Sequence, residues 1–158
     1  MSGNEHEILA AARRTLGGLE FFRRMITGEL PLPPLAALLG FRVVEVDRGR
    51  VVFAAEPQPA HYNGMGSVHG GFAATLLDTA LGGACNTTMG PGRAYATVDL
   101  KVTLVRPLRR EVGEVRCIAT AIQTGIRLAT SEARIVDGHG KIYATGTATC
   151  MVVEPAGS

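Results

Sequence analysis

Tryptophan is absent from this chain and aromatic residues make up only 5% of it, a slight lean against a large stacking pocket. Cysteine is nearly as scarce: Cys85, Cys117 and Cys150 lie far apart with no CxxC pair, which argues against a structural zinc site and a disulfide scaffold. Reduced thiols in a cytoplasmic protein fit that pattern best. Net charge is only +2, and the 16 Lys and Arg are spread too evenly to make the basic face that nucleic-acid binding requires. No apolar run approaches about 18 residues, and the chain opens on Asn4, Glu5, His6 and Glu7 rather than on a basic region followed by an apolar one. Membrane insertion and secretion are therefore disfavoured.

What is present is enough apolar material for one ordinary core, 46% of 158 residues, with no sign of a second core. From Glu5 to Gly28 the residues Ile8, Leu9, Ala12, Leu16, Leu19, Phe22 and Ile26 recur at three- and four-residue steps. That spacing predicts one amphipathic helix, ended by Pro31, Pro33 and Pro34 and docked on its own domain. Leu35 to Leu39 is expected to add a turn or two closed by Gly40. From Phe41 the period becomes two. Phe41–Asp47 and Arg50–Glu56 read as a hairpin across Asp47-Arg48-Gly49, and Ala94–Arg106, Val112–Thr124, Arg127–Val136 and Lys141–Val153 read as long strands. In the first of these, Val98, Leu100, Val102 and Leu104 would share one face, with Thr97, Asp99, Lys101 and Thr103 on the other. Asp137-Gly138-His139-Gly140 is a strong turn.

Between hairpin and strands lies HYNGMGSVHGGFAATLLDTALGGA, residues 61–84, a glycine-rich loop running into a helix expected from Ser67 to about Cys85. Glycines 70, 71, 82 and 83 cost that helix about 1 kcal/mol each. Compensation is expected from close packing, as when an antiparallel sheet curls around a single buried helix. At the helix start, N–H groups without helical partners face outward at the positive end of the dipole and can hold a carbonyl oxygen that is gaining charge. Gly70 falls in that first turn, and Asp78 is an acid inside the most apolar helix of the chain. An oxyanion site and a carboxylate together suggest acyl chemistry.

The combination of Asn63, the HGG of His69, Gly70 and Gly71, an aspartate at Asp78, and a β-rich run ending Arg106-Pro107 resembles the PaaI-like branch of the hotdog-fold acyl-CoA thioesterases. The resemblance covers about Leu35 to Val153. It implies an α+β hotdog fold: a curved antiparallel sheet around one long helix, here with an extra N-terminal helix. Residues 1–34 would form that helix and a proline-rich connection, and residues 35–153 the thioesterase domain. It further implies hydrolysis of acyl-CoA to carboxylic acid and free CoA without a cofactor or metal. The position matching Gly70 would supply the oxyanion N–H and that matching Asp78 would act on water or on the carbonyl. Asn63 and His69 would orient the thioester and brace the loop, and Thr97 would help hold the carboxylate or water. Arg106, Arg109 and Arg110 form the best local basic cluster for the CoA phosphates.

Helix geometry adds an expectation of its own. From His69 to Asp78 an α-helix turns through about 180° and rises about 13 Å, so one helix cannot aim both residues at one carbonyl. If both serve one reaction, a second subunit must present its Asp78 to the first subunit's helix start. A homodimer with shared sites follows, and the resemblance implies the same, with a dimer of dimers as a further assembly. The alternatives are a hotdog enoyl-thioester hydratase and a non-catalytic acyl-CoA-binding protein.

Overall fold

The computed structural model describes residues 4–154. Six antiparallel strands form one curved sheet in the order β1-β2-β4-β5-β6-β3, wrapped around the long helix α4. The strands are β1 (Arg42–Asp47), β2 (Arg50–Ala55), β3 (Ala94–Leu104), β4 (Val115–Thr124), β5 (Leu128–Val136) and β6 (Ile142–Val153). The expected hairpin is present: β1 and β2 pair with Asp47 opposite Arg50, and Gly49 at φ +78° supplies the left-handed turn residue. Asp137 closes the β5–β6 turn by accepting from the N–H groups of His139 and Lys141 at 2.9 and 3.0 Å. The strand expected from Val112 begins later, because Arg110–Val112 form a short 3-10 turn.

Helix α4 (Gly70–Asn86) is the axis of the core. Phe72, Leu76, Leu77, Ala80, Leu81 and Ala84 are buried against the sheet, and the glycines explain how closely the two layers meet. A Cβ on Gly83 would stand 3.2 Å from Val51 and 3.4–3.5 Å from the rings of Phe22 and Phe53, so β2 presses directly on the helix. The end of α4 is fixed by buried Asn86, whose amide accepts from the Tyr95 N–H at 2.9 Å and donates to the Tyr95 carbonyl at 3.0 Å. This two-way bond ties the helix terminus to the first residues of β3.

Two sequence expectations are corrected at the N-terminus. The single helix from Glu5 to Gly28 is two, α1 (Asn4–Thr15) and α2 (Gly18–Ile26), broken at Gly17. The break has a tertiary cause: a Cβ on Gly18 would lie 1.7 Å from the Asn86 carbonyl oxygen, and the Gly18 N–H donates to Met89 O at 2.9 Å. Only a redirected chain can bring α2 that close to the end of α4. Nor do the prolines terminate it, because α2 ends at Ile26, before them, and the chain turns at Gly28, φ +78°, with Leu30 N–H bonding back to Arg24 O. Pro34 instead opens α3 (Pro34–Leu39), which Gly40 closes as expected at φ +70°. Helix α2 docks on the domain with Phe22 edge-on to Phe53, and α1 packs on α2, the Arg13 guanidinium 3.9 Å above the Phe21 ring, while the Arg13 carbonyl accepts from the Gly92 N–H at 3.0 Å. Burial pushes the Arg13 pKa down to about 10.

A third correction bears on the site. β3 carries a bulge between Thr97 and Asp99, so the alternation read from the sequence is interrupted at Val98. Thr97, opposite buried Cys150, turns toward α4, while Asp99, opposite Thr149, does not. The face expected to carry Thr97 with Asp99 and Lys101 therefore loses Thr97 to the helix side.

Candidate active site

The loop before α4 is held by its own side chains. Asn63 Oδ1 accepts from the N–H groups of Met65 and Ser67 at 2.8 and 3.3 Å, while its Nδ2 donates to Ser67 Oγ at 3.1 Å. Asparagine suits this position because one short amide can stand in for turn hydrogen bonds on both its donor and acceptor sides. Asn63 thus braces the loop, with one amide hydrogen left for a ligand. His69 is the N-cap of α4: its Nδ1 accepts from the Gly71 N–H at 2.8 Å, and its carbonyl accepts from Phe72. The next donor, the Gly70 N–H, has no acceptor among the described residues.

The segment after β3 completes this half. Val68 N–H donates to Leu108 O at 3.0 Å, and Arg109 reaches the Gly66 carbonyl at 3.3 Å. Between loop and segment lies a cavity of about 230 Å³ bordered by Asn63, His69, Gly70, Leu104, Arg106 and Tyr143, among others. Leu104 lies over the helix start, its Cδ1 2.7 Å from where a Cβ on Gly70 would stand. Glycine there serves packing as well as approach. His61, just upstream, stacks on Phe72 with ring centroids 4.5 Å apart and accepts from the Gln58 N–H at 3.0 Å. Burial lowers its pKa, as fits a neutral structural imidazole.

Asp78 and Thr97 do not border that cavity. Asp78 lies two turns farther along α4, and its Oδ1 is buried with no hydrogen-bond partner among the described residues. One turn beyond it, Gly82 faces Thr97, whose Oγ1 would be 3.6 Å from a Cβ on that glycine. Thr97 Oγ1 is also 3.9 Å from Cys150 Sγ, and the Asp78 carboxylate is close enough to act electrostatically on that sulfur. All three cysteines are free thiols, and the neighbouring Cys150 thiol together with burial pushes the Cys85 pKa upward, keeping it protonated. The sequence offered no signal for the Cys85–Cys150 contact. The structure therefore gathers Asn63, His69 and Gly70 around one cavity, while Asp78 and Thr97, each related to Cys150, lie away from it.

A larger concavity, about 610 Å³, lies on the outer face of the sheet and is lined by Arg50, Lys101, Glu132 and Arg134 with several threonines. None of the candidate residues borders it, and its floor lacks any donor set at a helix start, so the smaller cavity is the better place for thioester chemistry. Among the described residues no three His, Cys, Asp or Glu side chains gather as metal ligands. The basic residues Arg106, Arg109 and Arg110 are exposed beside the loop, with Arg106 on the cavity border.

A curved antiparallel sheet around one long helix defines a hotdog protein. Comparison with known proteins agrees. The model of the Thioesterase superfamily matches residues 65–144, which contain the HGG, Asp78 and Thr97. A Halobacterium salinarum protein classed as an esterase is 34% identical over 107 residues, 65% of this chain and 69% of the relative. Among solved structures, a thioesterase related to phenylacetic acid degradation from Ralstonia eutropha is 30% identical with a TM-score of 0.75, covering 82% of this chain and 98% of that one. A variant of the phenylacetic acid degradation protein PaaI from Thermus thermophilus is 31% identical with a TM-score of 0.68, covering 75% and 98%. The chain belongs to the Thioesterase superfamily, in its PaaI-like hotdog branch, and its class of chemistry is thioester hydrolysis.

Proposed function

We propose that this protein hydrolyses acyl-CoA thioesters to the carboxylic acid and free CoA, at sites shared between two copies of the chain. The observation that carries this reading is the separation of an unengaged oxyanion donor, Gly70 N–H, from an unpartnered carboxylate oxygen, Asp78 Oδ1, on the same helix. In the reaction the thioester carbonyl oxygen lies against Gly70 N–H of one subunit, where the helix start stabilises its developing charge. Asp78 of the other subunit, held near Thr97, acts as base or nucleophile. As base it takes a proton from water while the oxygen bonds to the carbonyl carbon. Collapse of the tetrahedral intermediate then breaks the carbon–sulfur bond, and the departing CoA thiolate takes up the proton.

The sheet edge supports the second copy. Among the described residues β3 ends the strand order with one side unpaired, and its Val98, Leu100 and Leu104 are 56%, 38% and 58% exposed. An apolar open edge is a template for pairing with another chain. Thr97 sits on that strand, so a copy docked there lies beside the Asp78 face. Arg106, Arg109 and Arg110 flank the loop-side cavity and suit the phosphates of CoA. Residues 35–153 constitute the catalytic domain, with residues 1–34 appended to it, in a protein of the cytoplasm.

The test is release of free thiol from a panel of saturated acyl-CoA substrates. Turnover supports hydrolysis; water addition to enoyl-CoA without thiol release would identify a hydratase, and binding without turnover an acyl-CoA-binding protein.

A further inference from the structure

Three of the four glycines in α4 have neighbours that explain them. A Cβ would stand 2.7 Å from Leu104 at Gly70, 2.9 Å from His69 Nδ1 at Gly71 and 3.2 Å from Val51 at Gly83. Gly82 has no such neighbour: the nearest atom to its Cβ position is Thr97 Oγ1 at 3.6 Å, an ordinary contact that alanine would satisfy. Glycine is among the least favourable residues for a helix interior, and alanine the most favourable. Nothing within the described chain requires this one.

Gly82 lies one turn, about 6 Å, beyond Asp78 on the same helix face. The reacting carbonyl carbon must come within about 3–3.5 Å of the attacking atom at that carboxylate, so the next acyl carbons fall within a turn of Asp78. On the N-terminal side that turn carries Ala74, which has a side chain; on the C-terminal side it carries Gly82, which has none. Asp78 Oδ1, buried and unpartnered, points to a group from outside the chain at this place. We infer that the bare helix face at Gly82 receives the first carbons of the acyl group and sets how much bulk beside the carbonyl the enzyme accepts. This inference rests on the acyl-thioester reading above.

The test uses the full-length wild type with Gly82→Ala and Gly82→Val. Steady-state kinetics are measured on acetyl-, butyryl-, isobutyryl- and benzoyl-CoA, and calorimetric binding on the non-hydrolysable thioether analogues. One methyl group misplaced in a shaped pocket changes discrimination by roughly 10- to 200-fold. Gly82→Ala should lower kcat/KM for isobutyryl- and benzoyl-CoA relative to acetyl-CoA by about tenfold or more, with a larger shift for Val. Gly82→Ala should also raise the melting temperature and leave the dimer intact on size exclusion. Unchanged ratios in an active enzyme would overturn the inference alone, and loss of the dimer in Gly82→Ala would overturn it by giving the space to the partner chain. Should the wild type bind the analogues without hydrolysing any ester, the same shift in Kd would uphold the acyl contact while removing the hydrolytic reading. Neither binding nor turnover by the wild type would remove both.

Discussion

The two faces of α4 that carry the candidate residues are in different states. At the helix start, His69 caps Gly71, Asn63 holds two backbone N–H groups, and Leu108 closes the loop from the far side. Two turns on, Asp78 has a buried oxygen with no partner among the described residues. A buried acceptor without a donor costs about 1–3 kcal/mol, more for a charged group. Under the proposed function, the contrast separates the two halves: folding of one chain completes the face that would hold the thioester, while the face that would react awaits a group from outside the chain.

Removing the carboxylate should break the comparison most severely. Asp78→Ala is expected to lower kcat by about 10²–10⁴, the usual range for a lost general base. Its thermal melt should hold or rise, because an unsatisfied buried oxygen disappears. Near wild-type turnover in a folded variant would remove Asp78 from the mechanism. On the other face, Gly70→Pro keeps a helix start that proline tolerates and deletes the N–H. Leu104 must shift for any Cβ at this site, so Gly70→Ala is the matched control that adds the Cβ and keeps the donor. A loss of roughly 10²–10³ in kcat for Pro beyond that for Ala is expected, the scale known for an oxyanion donor in subtilisin. Equal losses for both variants would assign Gly70 to packing alone.

Smaller effects sharpen the difference in stability between the faces. Asn63→Ala removes the partner of two backbone donors and a hydroxyl, and should cost about 1–3 kcal/mol in denaturant unfolding, unlike Asp78→Ala. A melt indistinguishable from wild type would mean that the loop does not depend on its asparagine. The smallest effect is that of pH at His61. Burial depresses its pKa in the folded state, so the unfolded chain binds the proton more readily. The stability this group contributes is whole above the ordinary imidazole pKa of about 6.5 and declines as pH falls from there toward the folded value. His61→Asn should flatten the fall in melting temperature between about pH 7 and pH 5. An unaltered pH dependence would discharge His61 from the effect.

How far this arrangement could be read from sequence depended on whether its cause was local. Gly40, Gly49 and the Asp137 turn are set by residues at the turn itself, and all three appear where expected. Helix α4 was legible from its apolar run, but it starts at Gly70 rather than at the expected Ser67, because His69 caps it and Ser67 is tied to Asn63 in the loop. The break at Gly17 was hidden because the apolar stripe continues across it; its cause is the Asn86 carbonyl, distant in sequence. The bulge at Val98 was hidden for the same reason, since Ala94–Arg106 alternates without a fault and the slip exists only in pairing with β6. In the site, the opposition of His69 and Asp78 followed from helix rotation alone. The face taken by Thr97 and the contact between Cys85 and Cys150 required the sheet. Asn86 gave a faint signal, an amide at the end of an apolar helix.

The most direct test of a site shared between subunits is to mix Gly70→Pro and Asp78→Ala chains, each inactive by itself, and let them exchange. If each site takes Gly70 from one chain and Asp78 from the other, a mixed dimer has one intact site and one doubly damaged site. Random pairing makes about half the dimers mixed, so turnover should return to about a quarter of wild type. Verified mixed dimers, isolated through different tags, that show no recovery would place Gly70 and Asp78 in the same chain's site and contradict the account.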